Sequence, residues 1–357
     1  MNESLAAVFE GTPGRMELRR FPTPAPGPGE LLVRVLGCTI CGSDLHSYDG
    51  RRSVPVPTVL GHEIVGEIVA VGDKASLTDL AGQPLEIGDR VTWAIVAHCG
   101  DCFYCRRDLP QKCLHAVKFG HEALRPGREL LGGMADHCLL PRGTSLVKLP
   151  AALPLAVACP ANCATATVAA AIEAAGPLTD RVFCIQGAGL LGLTAAAMID
   201  AAGGTAIVVD PQSSRRQRAL EFGARHAVAP DHAADLIRQL TDGHGVDAVL
   251  ELSGAATAWD MAFPLLRIGG RMILVGAVFP TPPVSFVPEQ LIRRQLTVKG
   301  IHNYAPRHLL AAVEFLAAHH QRYPFANVVA AWHPLVDVEA AMSCAHDPSV
   351  IRVGLSG

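Results

Sequence analysis

The stretch RVFCIQGAGLLGLTAAAMIDAAGGTAIVVD, residues 181–210, decides the fold of the second half of the chain. An apolar run leads into a glycine turn, an alanine-rich run of helical length follows, and a β-branched run ends in an acidic residue. The segments HAVAP, VDAVLELSG and RMILVGA continue as strands, with SSRRQRALEFGA, ADLIRQLTDG and TAWDMAFPLLRIGG as helices between them. This alternation predicts a parallel, doubly wound sheet.

The glycine turn predicts a dinucleotide site. Its residues are Gly187, Gly189, Leu190, Leu191 and Gly192. Because the turn lies between a strand and a helix, its N–H groups and the helix N-terminus can hold a pyrophosphate. Asp210 closes the next strand, where a carboxylate can bond both ribose hydroxyls of NAD and would repel the extra phosphate of NADP. Arg215 and Arg216 follow and weaken that preference, unless they belong to a solvated helix face; NAD is predicted over NADP.

The first part of the chain is predicted to be β-rich. The runs AAVFE, MELRRF and LLVRVL are short strands around the turn-rich segment TPAPGPGE, and HEIVGEIVAVG and GDRVTWAI continue with β-branched residues between glycines. A β-rich domain or a partly open barrel is therefore expected.

Residues 38–63, CTICGSDLHSYDGRRSVPVPTVLGHE, bring together a thiol, a possible proton path and an imidazole. A catalytic zinc needs three N or S ligands and one open position, and Cys41 and His62 are predicted to be the first two. Ser43 and His46 lie between them, and a hydroxyl and an imidazole can carry a proton from a buried metal to water. The alternative is a buried thiol and a core histidine, which the rest of the chain argues against.

Two acidic residues in this stretch are candidates for contacts that orient the ligands. Asp44 and Glu63 each lie close to a predicted ligand, where a carboxylate can fix an imidazole and adjust the charge. The tripeptide GHE recurs around His121. Only one of the two histidines can lie at the right distance from Cys41, so His121 is expected to be a loop or cleft residue.

A second metal site is predicted from cysteine spacing. Three cysteines follow each other at intervals of three and a fourth comes after seven intervening residues: Cys99, Cys102, Cys105 and Cys113. Four thiolates so spaced can enclose one zinc tetrahedrally in a closed, structural site. A zinc ribbon for nucleic acid is the alternative, but the segment lies within an acidic chain.

Composition excludes several classes of protein. At 357 residues the chain is long enough for two domains, and its net charge of −3 argues against nucleic-acid binding. The run 151–172 has no charged residue, but its alanine, proline and asparagine content argues against a membrane span. The first twenty residues show no secretory pattern, so a cytoplasmic protein is expected, in which the eleven cysteines are reduced thiols or metal ligands.

With these parts in this order, the chain resembles the zinc-dependent medium-chain alcohol dehydrogenases along its whole length. The resemblance is carried by CTICGSDLH, by GHE with His62 21 residues after Cys41, by the four-cysteine lobe and by GAGLLG with Asp210. It implies a GroES-like catalytic domain, residues 1–163 and 304–357 with a structural zinc lobe at about 97–115, and a Rossmann NAD-binding domain, residues 164–303. One catalytic and one structural zinc follow from it.

The resemblance also implies further site residues. Cys163, at the head of the helix that leads into the nucleotide domain, matches the third zinc ligand, and Cys159 is the alternative. Thr167 matches a threonine on the nicotinamide side, and Arg352 matches an arginine that approaches the pyrophosphate. Glu63 matches a glutamate behind the zinc, which acts as an outer contact or a transient ligand.

The substrate is expected to be a small alcohol or its carbonyl. GRRSVPVPTVLGHE, KFGHEAL and PANCATATV resemble the branch of the family associated with phosphonate catabolism, which suggests a hydroxyalkylphosphonate. Arg52 stands 11 positions after Cys41, where relatives place an apolar pocket residue, and its guanidinium can pair with a phosphonate or carboxylate; the alternative is an exposed loop arginine.

Other functions remain open at this stage. They are a polyol or amino-alcohol dehydrogenase of the same family, a zinc-free or non-catalytic NAD-binding relative, and a redox sensor that uses the four-cysteine lobe. By analogy with relatives, a homodimer or homotetramer is expected, paired through the edge of the nucleotide-domain sheet near TPPVSF, residues 281–286. No nucleic-acid or membrane partner is expected.

Overall fold

The computed structural model describes residues 3–280 and 282–357, which form two compact units. The first unit contains the chain up to Ala166 and two later segments, Ala305–His320 and Phe325–Gly357. The second unit contains Thr167–Tyr304 and Gln321–Pro324. Residue 281, the first of the predicted TPPVSF contact, lies outside the described residues.

The first unit begins with short strands, and the predicted runs AAVFE, MELRRF and LLVRVL are confirmed as its first three. In order, the elements are β1 Glu3–Phe9, β2 Glu17–Pro22, β3 Leu31–Thr39, α1 Gly42–Tyr48, β4 Thr58–Val59, β5 Glu63–Val71, β6 Arg90–Trp93, β7 Val96–Ala97, β8 Val117–Lys118, β9 His137–Leu140, β10 Leu146–Lys148, α2 Leu155–Ala158 and α3 Ala164–Ala175. The boundary between the units falls inside α3.

The second unit alternates strand and helix. Its elements are β11 Val182–Gln186, α4 Leu190–Ala201, β12 Thr205–Val209, α5 Ser213–Glu221, β13 His226–Val228, α6 Pro230–Leu240, β14 Val246–Glu251, α7 Ala256–Leu265, β15 Leu266–Leu274, α8 Pro288–Arg293 and β16 Thr297–Gly300. The chain then completes the first unit with α9 Pro306–His319, β17 Val329–Pro334, α10 Val338–Ala345 and β18 Arg352–Ser356.

The main sheet of the first unit has the order β10-β6-β5-β3-β18-β17, and β9 also pairs with β3. Strand β18 is antiparallel to β3, with Gly354 opposite Thr39 and Leu355 opposite Cys38. Continuing this register past the end of β3 brings Arg352, the first residue of β18, opposite Cys41. The sheet therefore carries the C-terminal arginine to the first predicted zinc ligand.

The sheet of the second unit is parallel, with the order β13-β12-β11-β14-β15-β16, which confirms the predicted doubly wound class. Strand β11 pairs with β12 on one side and with β14 on the other, so the chain changes direction across the sheet at the carboxyl end of β11. That position is where ligands bind in folds of this class. The predicted glycine turn follows β11 directly.

The predicted helix TAWDMAFPLLRIGG is too long. Helix α7 ends at Leu265, and the rest of the segment belongs to β15. Leu266 already has the extended backbone angles φ −72° and ψ 144°. Residue 264 is a proline, which lacks an N–H group and favours the end of a helix.

The apolar run 151–172 forms helical segments of the first unit and the start of α3. Among the described residues, no single helix has the length and apolar character needed to cross a membrane. Leu155–Asn162 and Ala164–Ala175 meet that requirement only as a pair, with a bend of 54° between them.

Candidate metal centres and dinucleotide turn

Asp44 joins the two segments that carry the first predicted ligands. Cys41 is the N-cap residue of α1, and its N–H donates to Asp44 Oδ2 at 2.9 Å, in the manner of a capping box. Asp44 Oδ1 accepts the N–H of Gly61 at 3.3 Å and lies 3.3 Å from His62 Nδ1. One buried carboxylate thus holds both the head of the helix and the imidazole in place, as expected for a carboxylate beside a metal-binding histidine.

Gly61 is required by the backbone that presents His62. Its φ is +90°, a conformation that other residues rarely adopt. A Cβ atom at this position would lie 2.7 Å from Cys38 Sγ and 3.0 Å from the backbone N of Met134. The glycine of the GHE tripeptide therefore allows close packing immediately before the imidazole.

The structure brings together the residues predicted for the catalytic zinc. Cys41, His62, Glu63 and Cys163 each place one potential ligand atom within 4.8 Å of the others. Cys163 follows a short 3-10 turn, Cys159–Asn162, and precedes α3. Cys159, the alternative third ligand, lies outside this cluster and is buried beside Gly37.

Glu63 is held by a buried arginine. Arg352 Nε donates to Glu63 Oε2 at 2.8 Å and Nη2 donates to Oε1 at 2.9 Å, while Thr39 Oγ1 donates to Oε2 at 2.6 Å. Arg352 Nη2 also lies 3.7 Å from Cys41 Sγ, and Nη1 donates to the carbonyl of Ile351. The guanidinium is therefore largely committed to the cluster, and a contact with a pyrophosphate through its remaining N–H stays a prediction.

The thiol and imidazole groups of the cluster influence each other strongly. A hydrogen bond from the Cys163 thiol, together with the Arg352 guanidinium and against the effect of burial, holds the pKa of Cys41 well below its usual value. The same hydrogen bond and burial raise the pKa of Cys163 well above its usual value. Burial lowers the pKa of His62, but the Asp44 carboxylate and Cys41 outweigh it and raise the pKa to about 10. These shifts favour a thiolate at Cys41 and a proton on each of His62 and Cys163, and metal binding is coupled to the loss of such protons.

The donor set fits a zinc ion. Two thiols and an imidazole are the ligand types that zinc prefers, and three protein ligands leave one position open for catalysis. Both carboxylate oxygens of Glu63 accept hydrogen bonds from Arg352, so Glu63 is placed as a charged neighbour of the three N and S donors.

The predicted proton path lies on α1. Ser43 Oγ is 3.5 Å from His62 Nε2. His46 stands three residues further along α1, on the same face of the helix. Burial, followed by Arg51, lowers the pKa of His46, which favours the neutral imidazole.

The four-cysteine lobe has the geometry of a closed zinc site. The Sγ–Sγ distances are 3.5 Å for Cys102–Cys105 and Cys99–Cys113, 3.9 Å for Cys102–Cys113 and 4.0 Å for Cys99–Cys105. A tetrahedron with Zn–S bonds of about 2.3 Å has edges of about 3.8 Å. These four distances are close to the edges of such a tetrahedron, and all four sulfurs lie within 4.8 Å of one another.

The glycine turn has room for a ligand at one glycine and none at another. A Cβ atom at Gly189 would meet nothing within 4 Å, whereas one at Gly192 would lie 1.9 Å from the carbonyl oxygen of Gly187. Gly192 therefore permits the packing of α4 on the turn, and Gly189 borders open space at the N-terminus of α4. Leu190 and Leu191 begin that helix. This arrangement fits a pyrophosphate held by backbone N–H groups.

Asp210 is buried at the end of β12. Its Oδ2 accepts the N–H of Ala188 at 2.9 Å and its Oδ1 accepts the N–H of Gln212 at 2.8 Å. A carboxylate has about four acceptor positions, so two remain for ribose hydroxyls. Arg216 Nη1 donates to the carbonyl oxygens of Asp210 and Pro211, which ties this arginine to the backbone.

The structure places the other predicted residues as follows. Arg215 is half-buried on α5, Thr167 is half-buried in α3, and Arg52 is half-buried in the loop after α1. His121, predicted to be a loop or cleft residue, is half-buried in the loop after β8: its ring lies 5.5 Å from the His62 ring, and its Nδ1 is 2.8 Å from the carbonyl of Phe119.

Two residues near the cluster were not predicted from the sequence. Asn162 is fully buried, and its Nδ2 donates to the carbonyls of His62 and Trp93, both at 2.9 Å. The feature that could have identified Asn162 from the sequence is a lone asparagine in an apolar run. Lys118 is half-buried on β8, and a lysine within the run AVKFG was the corresponding signal.

Comparison with known proteins gives consistent matches along the chain. Residues 27–151 match the family described as alcohol dehydrogenase GroES-like domain, and residues 191–318 match the family described as zinc-binding dehydrogenase. The chain is 32% identical over 312 residues to L-threonine 3-dehydrogenase of Pyrococcus horikoshii, which covers 84% of each protein. It is 31% identical to sorbitol dehydrogenase of Halalkalibacterium halodurans, which covers 85% of each. An alcohol dehydrogenase structure from Thermotoga maritima superposes with a TM-score of 0.93 over 100% of both chains at 27% identity.

Proposed function

The chain belongs to the zinc-dependent medium-chain alcohol dehydrogenase family and is an oxidoreductase, and from that premise we propose that it interconverts a small primary or secondary alcohol and its carbonyl, with zinc and NAD. The observation that carries the proposal is the cluster of Cys41, His62 and Cys163, whose donor atoms lie within 4.8 Å of one another. When bound, zinc supplies Lewis acidity toward the alcohol oxygen and NAD supplies the hydride acceptor.

The chain's own residues bind, orient and move a proton. Asp44 orients the imidazole of His62 through Nδ1, so that Nε2 faces Ser43. Ser43 Oγ would accept the hydroxyl proton of the substrate while giving up its own proton toward His46, and His46 would release a proton to water. Arg352 neutralises Glu63 and adds a positive charge beside the Cys41 thiolate.

Zinc content distinguishes Cys163 from Cys159 as the third ligand of the catalytic zinc. The four-cysteine lobe is proposed to hold a second, structural zinc, so the loaded protein should contain two zinc ions per chain. Cys163→Ser should lower this to one and abolish activity, while the matched variant Cys159→Ser should keep both. One zinc per chain in the wild type would instead support a non-catalytic relative.

Asp210 is proposed to select NAD over NADP. Because its carboxylate is buried and faces the turn, an extra phosphate on the ribose would be repelled. Asp210→Ser should raise the ratio of kcat/KM with NADP to that with NAD at least tenfold. An unchanged ratio would show that the carboxylate does not contact the ribose.

The proposed substrates of this chain form a narrower class than the alcohols on which the family acts. The names of the two curated relatives point to an amino alcohol or a polyol, whereas Arg52 points to an anionic alcohol, of which a hydroxyalkylphosphonate is one example. The test is NADH formation at 340 nm across alcohols that pair each neutral compound with its phosphonate and carboxylate analogues. Absence of NADH formation across a broad panel, with two zinc ions bound, would contradict the dehydrogenase proposal.

A homodimer or homotetramer is proposed by analogy with relatives. Residues of the predicted contact that the structure describes include Val284 and Phe286, which are exposed apolar side chains. Light scattering during size-exclusion chromatography measures the assembly directly, and a monomer would refute this proposal.

A further inference from the structure

Asn162 is a fully buried asparagine that connects the segments carrying two of the predicted zinc ligands. It ends the 3-10 turn Cys159–Asn162 and directly precedes Cys163. Its Nδ2 donates to the carbonyl of His62 at 2.9 Å and to the carbonyl of Trp93 at 2.9 Å. A carboxamide nitrogen carries two N–H groups, so one side chain can satisfy both carbonyls. The segment of the third ligand is therefore tied to the backbone of the second.

The bridge made by Asn162 lies beyond the backbone pairing of β5 and β6. At its end nearest the site, the ladder between these strands pairs Gly66 with Val91. Closer to the site, Thr92 Oγ1 donates to the carbonyl of Ile64 at 2.9 Å. At the approach to the zinc ligands, the connection between the two strand ends passes to the amide of Asn162. Side chains therefore take over from the ladder where the imidazole has to be placed.

The backbone of Cys163 interrupts a helical path. Its φ is −123° and its ψ is −76°, and the helical segments on its two sides, Leu155–Asn162 and Ala164–Ala175, meet at a bend of 54°. Its N–H donates to the carbonyl of Pro160 at 3.3 Å, which is a bond within the preceding turn. The direction of the Cys163 thiol therefore depends on how that turn is held, and Asn162 holds it against the strand ends.

His62 is held at its ring and at its backbone by different residues. Asp44 Oδ1 lies 3.3 Å from the ring atom Nδ1, whereas Asn162 binds the carbonyl. Trp93, which provides the other carbonyl of the bridge, is fully buried, and its ring meets the ring of Phe119 edge to face at 5.8 Å. The bridge is therefore anchored in the packed core of the first unit.

We propose that Asn162 is a positioning residue of the catalytic zinc site, which fixes the Cys163 and His62 donors relative to each other through its two hydrogen bonds. The inference rests on the proposed function, because it requires a zinc ion at this cluster. Residues that orient metal ligands commonly change metal affinity by about 10–100-fold when they are replaced. Asn162 acts in this way on the backbone of the ligands, as Asp44 does on the imidazole ring.

The test measures how tightly matched variants hold zinc. Asn162→Leu keeps a side chain of similar size and removes both N–H donors. Thr92→Val is the control, because it removes a buried hydrogen bond between β5 and β6 but leaves the turn before Cys163 untouched. The zinc-loaded proteins are dialysed against increasing concentrations of dipicolinate, and the retained zinc is measured by atomic absorption. Cys163→Ser, which should keep only the structural zinc, shows where the four-cysteine lobe releases its metal.

Asn162→Leu should release its catalytic zinc at a dipicolinate concentration about tenfold lower than wild type, or lower still, with unchanged release from the lobe. Thr92→Val should release both zinc ions as wild type does, even with a lower Tm. Added zinc should restore most of the NADH formation by Asn162→Leu, because all three donors remain.

Equal zinc release by Asn162→Leu and wild type, or equal weakening in Asn162→Leu and Thr92→Val, would overturn the inference while leaving the proposed function intact. One zinc per chain in the wild type would overturn both. If Asn162→Leu does not fold, as judged by circular dichroism, Asn162→Ser replaces it. A serine hydroxyl has a single donor, so release at a roughly threefold lower concentration is expected, and unchanged release would again overturn the inference.

Discussion

Replacing Arg352 by Met should strongly destabilise the first unit. Glu63 is fully buried, and Arg352 is 9% exposed in the side chain, with two hydrogen bonds between them at 2.8 and 2.9 Å. Removing one partner of a buried ion pair leaves the other charge uncompensated, at a cost of about 3–5 kcal/mol. Methionine preserves the aliphatic part of the side chain, so the loss is chiefly electrostatic.

Proton uptake by Glu63 limits the loss of stability in Arg352→Met. Burial already raises the pKa of Glu63, and Arg352 opposes that effect. Without the guanidinium the pKa of Glu63 rises further, so the carboxyl takes up a proton and the loss falls near the lower end of the range. For a unit of about 200 residues, 1 kcal/mol corresponds to about 2–4 °C, which predicts a Tm decrease of roughly 6–12 °C for a loss near 3 kcal/mol.

The assay is differential scanning calorimetry of zinc-loaded protein, with zinc content measured on the same samples. Adding Glu63→Gln to Arg352→Met should recover part of the loss, because the uncompensated carboxylate is gone. Arg34→Met is the matched control. The Arg34 and Glu67 side chains are 50% and 31% exposed, so losing this ion pair should lower the free energy of unfolding by at most about 1 kcal/mol. A Tm within 2 °C of wild type for Arg352→Met, with unchanged zinc content, would refute the reasoning.

Two other predictions follow from local geometry. Gly189→Ala should fold with a Tm close to wild type but bind NADH more weakly in a fluorescence titration. Gly192→Ala should disrupt the second unit, because its Cβ would lie 1.9 Å from a carbonyl oxygen. Equal stability of the two variants would contradict this prediction. A hydrogen bond to the Met342 carbonyl and the Asp49 carboxylate raise the pKa of His346, so its stabilising effect is present below the ordinary pKa of about 6.5 and is lost as pH rises through the raised value. His346→Gln should therefore lower the Tm more at pH 5.5 than at pH 9. The loss in free energy of unfolding should be less than about 1 kcal/mol, because the pair is partly exposed. A Tm difference that does not depend on pH would contradict this prediction.

Much of the candidate site is predictable from the sequence because its parts are local. The four cysteines of the lobe lie within 15 residues, and the glycine turn is one continuous segment between a strand and a helix. Local spacing is enough to suggest what such groups can bind. Cys163 needed the family resemblance, since no spacing relates it to Cys41.

The partners of Glu63 were not predictable in this way. Arg352 is 289 residues away in sequence and reaches Glu63 because β18 pairs with β3, a pairing that no local pattern specifies. The resemblance directed attention to a pyrophosphate contact for Arg352, whereas the structure shows its contact with a buried carboxylate. Lys118 was missed for a related reason: its position depends on the packing of Gly120 against Gly61.

The two cations near the cluster have opposite consequences for stability. Arg352 has its counterion within the chain, so it stabilises the fold. Lys118 is half-buried without an ion-paired carboxylate among the described residues, and the charge of Arg52 acts on it unfavourably, so its charge should cost stability. Lys118→Met should therefore leave Tm unchanged or raise it by a few degrees, more at low salt, where the repulsion is screened less. A large decrease in Tm at every salt concentration would mean that the ammonium supports the fold instead.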